Sequence, residues 1–127
     1  MKRPLVVPAL ALAAAASVHA QSSDAGRVPV ADVRVLMAAA IDSNDGTARG
    51  ILAGKDAENI TRFFQATGPI LIDVTTVKRY AEAGCSRLRV AFSQDGVHAS
   101  EKAAPTRKAV AFGINICRDG KPPKSLS

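Results

Sequence analysis

Two runs with a β-strand pattern, lying just inside two cysteines, are the strongest feature of the hydrophobic pattern. They cover residues 87–92 and 109–116, between Cys85 and Cys117. We predict that they form an antiparallel hairpin in which the cysteines face each other. Because side chains alternate across a strand, this register places the large apolar residues of the first run on one face. The predicted apolar pairs are Leu88–Ile114, Val90–Phe112 and Phe92–Val110. The other face carries Arg87, Arg89 and Ala91 with Ala111, Gly113 and Asn115.

Helical periodicity precedes the hairpin. Apolar residues recur at spacings of three and four over residues 30–41, and Pro29 suits the first turn of a helix. Residues 56–66 predict a second helix, whereas residues 47–54 indicate a short extended piece or a loop. A β-branched run over residues 70–77 predicts the first strand. The predicted fold is therefore α+β, with two N-terminal helices packed on a three-stranded antiparallel sheet and one disulfide.

The first twenty residues have the pattern of a secretory signal peptide. Lys2 and Arg3 precede a short apolar run, and residues 18–20 form a small-residue cleavage site ending at Ala20. A membrane anchor is the alternative, but the run is short and Pro8 interrupts it. We predict export to the periplasm or the medium, with membrane contact only through this transient segment. The predicted organisation is a signal peptide (1–20), a flexible N-terminus (21–28), a single α+β domain (29–118) and a basic, proline-containing tail (119–127).

The two cysteines predict a disulfide. In an exported protein an isolated cysteine pair is most simply oxidised, and a domain this small gains from a covalent link. A metal-binding pair or a reactive thiol are the alternatives. A closed zinc site needs four ligands, and two cysteines with one histidine after residue 20 do not supply them without carboxylates. We expect no metal and no cofactor.

Charge is unevenly distributed along the chain. Residues 21–77 carry five Lys/Arg against seven Asp/Glu, and residues 78–127 carry ten against four. Lys2 and Arg3 bring the whole chain to +6. A basic half can meet an acidic protein face, an acidic glycan, an anionic lipid or nucleic acid, or it can simply keep a small domain soluble. Export and the small number of aromatic residues argue against nucleic acid as the partner.

Residues for catalysis are few. His98 is the one histidine beyond residue 20, and it lies in a polar stretch where we expect a solvent-exposed side chain. No Ser–His–Asp or Cys–His set can be assembled, so we predict no catalytic residue. Asp42 and Asp45 resemble part of a calcium loop, but the glycine and the twelfth ligand are misplaced. Asp73, at the centre of a strand, is expected to face solvent or to pair with Arg87 or Arg89.

The remaining positive charge predicts one basic edge of the sheet, fastened by the disulfide. Its functional interpretation is a docking surface for an acidic partner, and its structural interpretation is a solvated sheet face. The predicted partner-binding residues are Arg87, Arg89, Arg118, Lys121, Lys78 and Arg79.

The C-terminal half also resembles a known group of proteins. The residues that carry the likeness are 72–76, Gly84 and Cys85, Arg87 and Leu88, and 112–120 with Pro122 and Pro123. Together they resemble small exported proteins encoded beside conjugative type IV secretion systems in proteobacteria. The resemblance implies a periplasmic accessory protein with protein partners in the cell envelope, and it implies no catalytic residues.

Three functions follow from these observations. The first is a small exported, non-catalytic binding protein, an accessory of a secretion or conjugation apparatus. The second is a secreted inhibitor or small effector that acts through the basic hairpin. The third, and the least supported, is a small hydrolase that uses carboxylates and His98.

Overall fold

The structure is a computed structural model that describes residues 2–5 and 26–127. Residues 2–5 are exposed and have no regular secondary structure. The predicted signal peptide, its cleavage point at Ala20 and the flexible segment 21–28 fall mainly outside the described residues. Within the described ranges, no helix has the length and apolar character needed to cross a membrane.

Seven elements form one five-stranded sheet with two helices. The sheet order follows the chain from β1 to β5, with β1 parallel to β2 and all other neighbours antiparallel. The prediction of two N-terminal helices on a three-stranded antiparallel sheet is therefore wrong, although the α+β class and the disulfide are confirmed. The elements are β1 (Val28–Val30), α1 (Val33–Asp42), β2 (Thr47–Leu52), α2 (Lys55–Phe63), β3 (Ile70–Arg79), β4 (Cys85–Val97) and β5 (Thr106–Cys117).

The two strands that were not predicted from the sequence, β1 and β2, are short and contain residues that are uncommon in strands. Pro29 lies in β1, at the sheet edge, where the missing N–H of proline costs no ladder bond. Gly50 weakens the strand pattern of β2, yet α1 needs a glycine there. A Cβ at position 50 would lie 2.6 Å from Cδ1 of Leu36, so the helix packs directly on the strand backbone. The glycine that suggests a loop in the sequence is thus a helix–sheet contact.

The hairpin has the predicted register. Cys85 pairs with Cys117 and the two form a disulfide, while Leu88, Val90 and Phe92 face their predicted partners. Both strands are longer than predicted, since β4 continues to Val97 and β5 begins at Thr106. The apolar match along the strands therefore specified the pairing, although it did not mark where the strands end.

The core lies between α1 and the centre of the sheet. Ile72, Val74, Leu88 and Val90 are at most 1% exposed, and α1 covers them with four buried side chains. α2 lies over the same side of the sheet, which we call the helix face, but it contributes no buried residue. Neither helix covers the other side, which we call the open face. Those four buried residues of α1 are Leu36, Met37, Ala40 and Ile41.

Candidate functional site

Three of the predicted basic residues lie together on the open face. Alternation along β4 turns Arg87 and Arg89 away from the buried Leu88 and Val90. Lys78 of β3 lies directly opposite Arg87 in the ladder. All three side chains are exposed, and we call Lys78, Arg87 and Arg89 the open-face basic cluster.

A β-bulge in β3 puts Lys78 into this cluster. Thr76 pairs with Leu88 and Lys78 pairs with Arg87, so Val77 is an extra residue between them. The bulge shifts the alternation of the strand by one position. Lys78 is thereby brought to the open face, and Arg79 to the helix face.

Arg79 is occupied within the fold. Its guanidinium donates to the carbonyl oxygens of Ile41 at 3.0 Å and Ser43 at 2.9 Å, at the end of α1. The last carbonyl groups of a helix have no partner within the helix, and a cation there also interacts favourably with the helix dipole. The position of Arg79 therefore explains how α1 ends.

A polar network fixes part of the open-face basic cluster. The Tyr80 hydroxyl donates to Oδ1 of Asn115 at 2.6 Å, and Nη1 of Arg87 donates to the same oxygen at 3.1 Å. Nζ of Lys78 lies 5.5 Å from the centre of the Tyr80 ring, within the range of a cation–π contact. Arg87 also lies across Gly113, where a Cβ would be 2.7 Å from its Nη2. The two cations are thus held by one aromatic–amide pair.

The other predicted basic residues do not join the cluster. Arg118 forms an ion pair with Asp42, the last residue of α1. Lys121 is exposed in the tail, where its backbone carbonyl accepts from the N–H of Cys117 at 2.8 Å. The tail turns back onto the turn between β3 and β4, because the N–H of Lys124 donates to Glu82 at 2.8 Å. The six predicted residues therefore form no single patch.

Asp73 has different partners from those predicted. Its carboxylate pairs with Arg27 at 3.1 Å and with Arg49 of β2 at 3.6 Å. The expected pairing with Arg87 or Arg89 is wrong because the predicted sheet lacked β1 and β2. As a result, the Asp73 carboxylate on the open face is already neutralised from the β1–β2 side.

His98 is half-buried, and the expectation that it is solvent-exposed is wrong. Its backbone N–H donates to the carbonyl of Phe64, and its Nδ1 lies 3.1 Å from the carbonyl of Ala103. These contacts tie the loop after β4 to the end of α2. They place Nδ1 of the ring against a backbone carbonyl.

One group in the described chain brings metal-ligand types together. Atoms of Glu82, Cys85 and Cys117 lie within 4.8 Å of one another. Both sulfurs belong to the disulfide, and a metal binds the thiolate form of cysteine. In the oxidised protein this group is therefore a covalent link beside a carboxylate.

Part of the apolar hairpin face is uncovered, although the predicted fold packs two helices on the sheet. Val110 is 57% exposed and Phe112 is 44% exposed, although Phe112 stacks on Phe92 with ring centres 6.2 Å apart. Ile116, next to the disulfide, is buried in the core with the side chains of α1, whereas Val110 and Phe112 lie farther along β5. An apolar strip therefore remains along β5.

The sequence did not reveal Tyr80 and Asn115 as parts of the site. Asn115 had a usable signal, because the predicted register places it opposite Arg87. Tyr80 had none, since its approach to Asn115 depends on the bulge at Val77 and on the turn that follows β3. The shift in alternation that the bulge causes falls on Val77, Lys78 and Arg79, where no buried apolar residue marks it.

Comparison with protein-family models, curated proteins and solved structures finds no match to this chain. Its role is therefore inferred from its own residues. Within residues 26–127, the open-face basic cluster and the uncovered apolar strip of β5 offer charged and apolar surface to a partner.

Proposed function

We propose that the protein is a small exported, non-catalytic binding protein that docks an acidic protein partner through the open-face basic cluster. The partner belongs to the cell envelope. By the resemblance of the C-terminal half, the pair serves a type IV secretion or conjugation apparatus. The observation that carries the docking proposal is that three exposed cations lie together on the open face, none of them in an ion pair with a carboxylate of residues 26–127.

Several cations elsewhere on the domain have acidic partners. Arg118 pairs with Asp42, Arg107 with Asp95, and Arg27 with Asp73. Among residues 26–127, no carboxylate forms an ion pair with any member of the open-face basic cluster. Like charges placed opposite each other on a sheet are destabilising, and Lys78 faces Arg87. An acidic partner would relieve that repulsion, which supports a binding role for the cluster.

The network around Asn115 also favours binding. Long basic side chains lose rotamer freedom when a partner immobilises them, at a cost of about 0.5–1.5 kcal/mol each. Arg87 is already restrained by Asn115 and by its contact across Gly113. Part of the rotamer freedom of Arg87 is therefore already lost in the free protein, so binding a partner costs less entropy at this side chain.

Site-specific photo-crosslinking in envelope preparations of the producing organism tests the proposal. The crosslinker replaces Thr75, an exposed open-face residue opposite Arg89. We expect one specific crosslinked protein, lost in the double variant Arg87→Glu/Arg89→Glu. The matched control is Lys55→Glu/Arg62→Glu, which reverses two exposed cations on α2 and leaves the open face unchanged. Equal crosslinking in both double variants would refute the docking proposal.

The identity of the crosslinked protein separates the two binding roles. A component of a secretion apparatus supports the accessory role. An enzyme whose activity falls when the complex forms supports the inhibitor instead.

A further inference from the structure

β5 is the long outer strand of the sheet. It spans Thr106–Cys117 and pairs with β4 alone, and its first eight residues are all exposed. The other edge is the three-residue β1. A long exposed edge presents unpaired backbone groups on which another strand can be added.

The hydrogen bonds near the disulfide show which backbone groups of β5 point outward. The N–H of Cys117 donates to Lys121, and the carbonyl of Cys85 accepts from Tyr80, so these two cysteines exchange no ladder bond. Pairs with and without ladder bonds alternate in an antiparallel ladder. In the observed register, Ala109, Ala111 and Gly113 are therefore residues whose N–H and C=O groups point away from β4.

The two sides of this edge differ in chemistry. On the open face, Ala109, Ala111 and Gly113 form a row of small residues. Arg87 already reaches across Gly113 toward the outer edge. On the helix face, Val110 and Phe112 are the exposed apolar neighbours.

We propose that an extended segment of the partner protein adds to the outer edge of β5 as a sixth strand. Its acidic side chains lie on the open face beside Arg87 and Arg89, and its apolar side chains lie on the helix face beside Val110 and Phe112. This inference rests on the proposed function and adds to it the conformation and the residue pattern of the partner. Neighbouring strands lie about 4.8 Å apart, so a side chain of the added strand comes within reach of the guanidinium above Gly113.

Charge favours an acidic segment over a second copy of this chain. β5 contains Arg107 and Lys108 and no carboxylate. Pairing two copies of β5 would bring these cations, and both pairs of open-face arginines, onto one continuous sheet. Arg107 and Lys108 also disfavour the addition of a basic or neutral strand, since charged edge residues oppose unwanted strand pairing. A segment that alternates acidic and apolar residues complements both faces.

Amide hydrogen exchange with a synthetic probe tests the inference. The probe is a blocked nine-residue peptide of alternating valine and glutamate, and its control alternates valine and lysine. In the free protein, we expect fast exchange at Ala111 and Gly113 and slow exchange at Phe112. The glutamate peptide, at about ten times its Kd, should slow exchange at the outward amides about tenfold.

Equal protection by both peptides, or none by the glutamate peptide, would overturn the inference. The amides of Ala111 and Gly113 could instead be protected from exchange without peptide, and increasingly so at higher protein concentration. That result would show that a second copy of the chain occupies the edge, and it would also overturn the inference.

Two variants block the edge in different ways. Ala111→Pro removes an outward N–H and no bond to β4, which is where an edge strand tolerates proline. Val110→Lys keeps the backbone intact and places a charge on the apolar strip. Both should abolish protection by the peptide while the thermal transition remains cooperative.

The same variants separate this inference from the proposed function. If the Thr75 crosslink is lost in Arg87→Glu/Arg89→Glu but persists in Ala111→Pro and Val110→Lys, the basic cluster docks the partner and strand addition is wrong. If the crosslink survives every variant, both proposals are wrong.

Discussion

The two helices cover one face of the same sheet and are held in opposite ways. α1 buries four side chains, and Leu36 packs directly on the backbone of Gly50. α2 buries none, and Phe63 is 81% exposed. Its attachments to the end of β4 are polar. Nε2 of the buried Gln94 donates to Thr61 at 2.9 Å, and the N–H of His98 donates to Phe64 at 3.0 Å.

Because of this difference, the sheet under α1 contributes to stability, whereas the sheet under α2 offers an open surface. Under α1 the sheet is a close-packed core. Under α2 it leaves an apolar groove of about 360 Å³, bordered by Ile60 and Phe64 on the helix and by Phe92 and Val110 on the sheet. A small domain has little apolar surface to spare for burial, so an uncovered apolar strip costs stability. Its retention beside the β5 edge is consistent with a binding role.

The largest effect should come from a core truncation in α1. Leu36→Ala removes a side chain that is 3% exposed and leaves a cavity over Gly50, at a cost of about 2–5 kcal/mol. Phe63→Ala in α2 removes a larger but exposed side chain and should change stability by less than about 0.5 kcal/mol. Urea unfolding of both variants measures the contrast. Similar losses would mean that α2 is as much a part of the core as α1.

Loss of the disulfide should have the next largest effect. The bond closes a loop of roughly 33 residues, and Cys85→Ala/Cys117→Ala should lower the free energy of unfolding by about 2–4 kcal/mol. The bond lies near the end of α1, where Asp42 pairs with Arg118, the neighbour of Cys117. Amide exchange should therefore rise more at the end of α1 than in α2. A uniform rise in both helices would contradict the division between them.

The hairpin could be predicted from sequence because two independent constraints agree. Cys85 opposite Cys117 fixes one register, and the same register matches Val90 with Phe112. A slip of one residue would turn the apolar set to the wrong face. Neither constraint needs information from the rest of the chain.

β3 was predicted from its β-branched run, but β1 and β2 could not be predicted, because their signals are tertiary. β1 has three residues and contains Pro29, and β2 contains Gly50, whose role is visible only with Leu36 above it. Because β1 and β2 were not predicted, the ion-pair partners of Asp73 were also predicted wrongly. Local pattern is weakest where a short strand is defined by its neighbours.

The candidate site was predicted in part for the same reason. Alternation along β4 placed Arg87 and Arg89 on one face. The sequence could not show which of Lys78 and Arg79 reaches the open face, since the bulge at Val77 shifts the alternation of β3 by one position. It also could not show that Arg118 is engaged by Asp42, a residue 76 positions earlier in the chain.

A smaller effect should follow from removing one attachment of α2. Thr61→Val keeps the shape of the side chain but deletes the acceptor for Gln94, at a cost of about 0.5–1.5 kcal/mol. Amides of α2 should then exchange faster, while those of α1 stay unchanged. The control is Thr75→Val, an exposed threonine on the open face. Equal effects of the two substitutions would show that the bond from Gln94 does not hold α2 in place.

The smallest effect should be a loss of stability at low pH that arises from carboxylates at the ends of α1. The Ser43 hydroxyl donates to Asp45 at 2.6 Å and the N–H of Thr47 donates to the same oxygen at 3.0 Å. These bonds, that from Ser43 most of all, hold the pKa of the Asp45 carboxyl below its ordinary value. At the other end of the helix, the Arg34 side chain lowers the pKa of Asp32, the N-cap. α2 begins at Gly54 without a side-chain cap bond.

The sign of the pH dependence follows from the lowered pKa. A carboxyl with a lower pKa in the folded state stabilises the fold above its unfolded pKa, and this contribution is lost as the pH falls through the folded value. The difference in melting temperature between the wild type and Asp45→Asn should therefore be constant near neutrality and shrink from about pH 5 toward pH 2. Ser43→Ala should also reduce the stabilisation that the Asp45 carboxylate provides, because this substitution removes its main hydrogen-bond donor. If the wild type and Asp45→Asn instead lose stability in parallel across this range, the turn after α1 does not depend on the Asp45 carboxylate, and the contrast between the helices rests on packing alone.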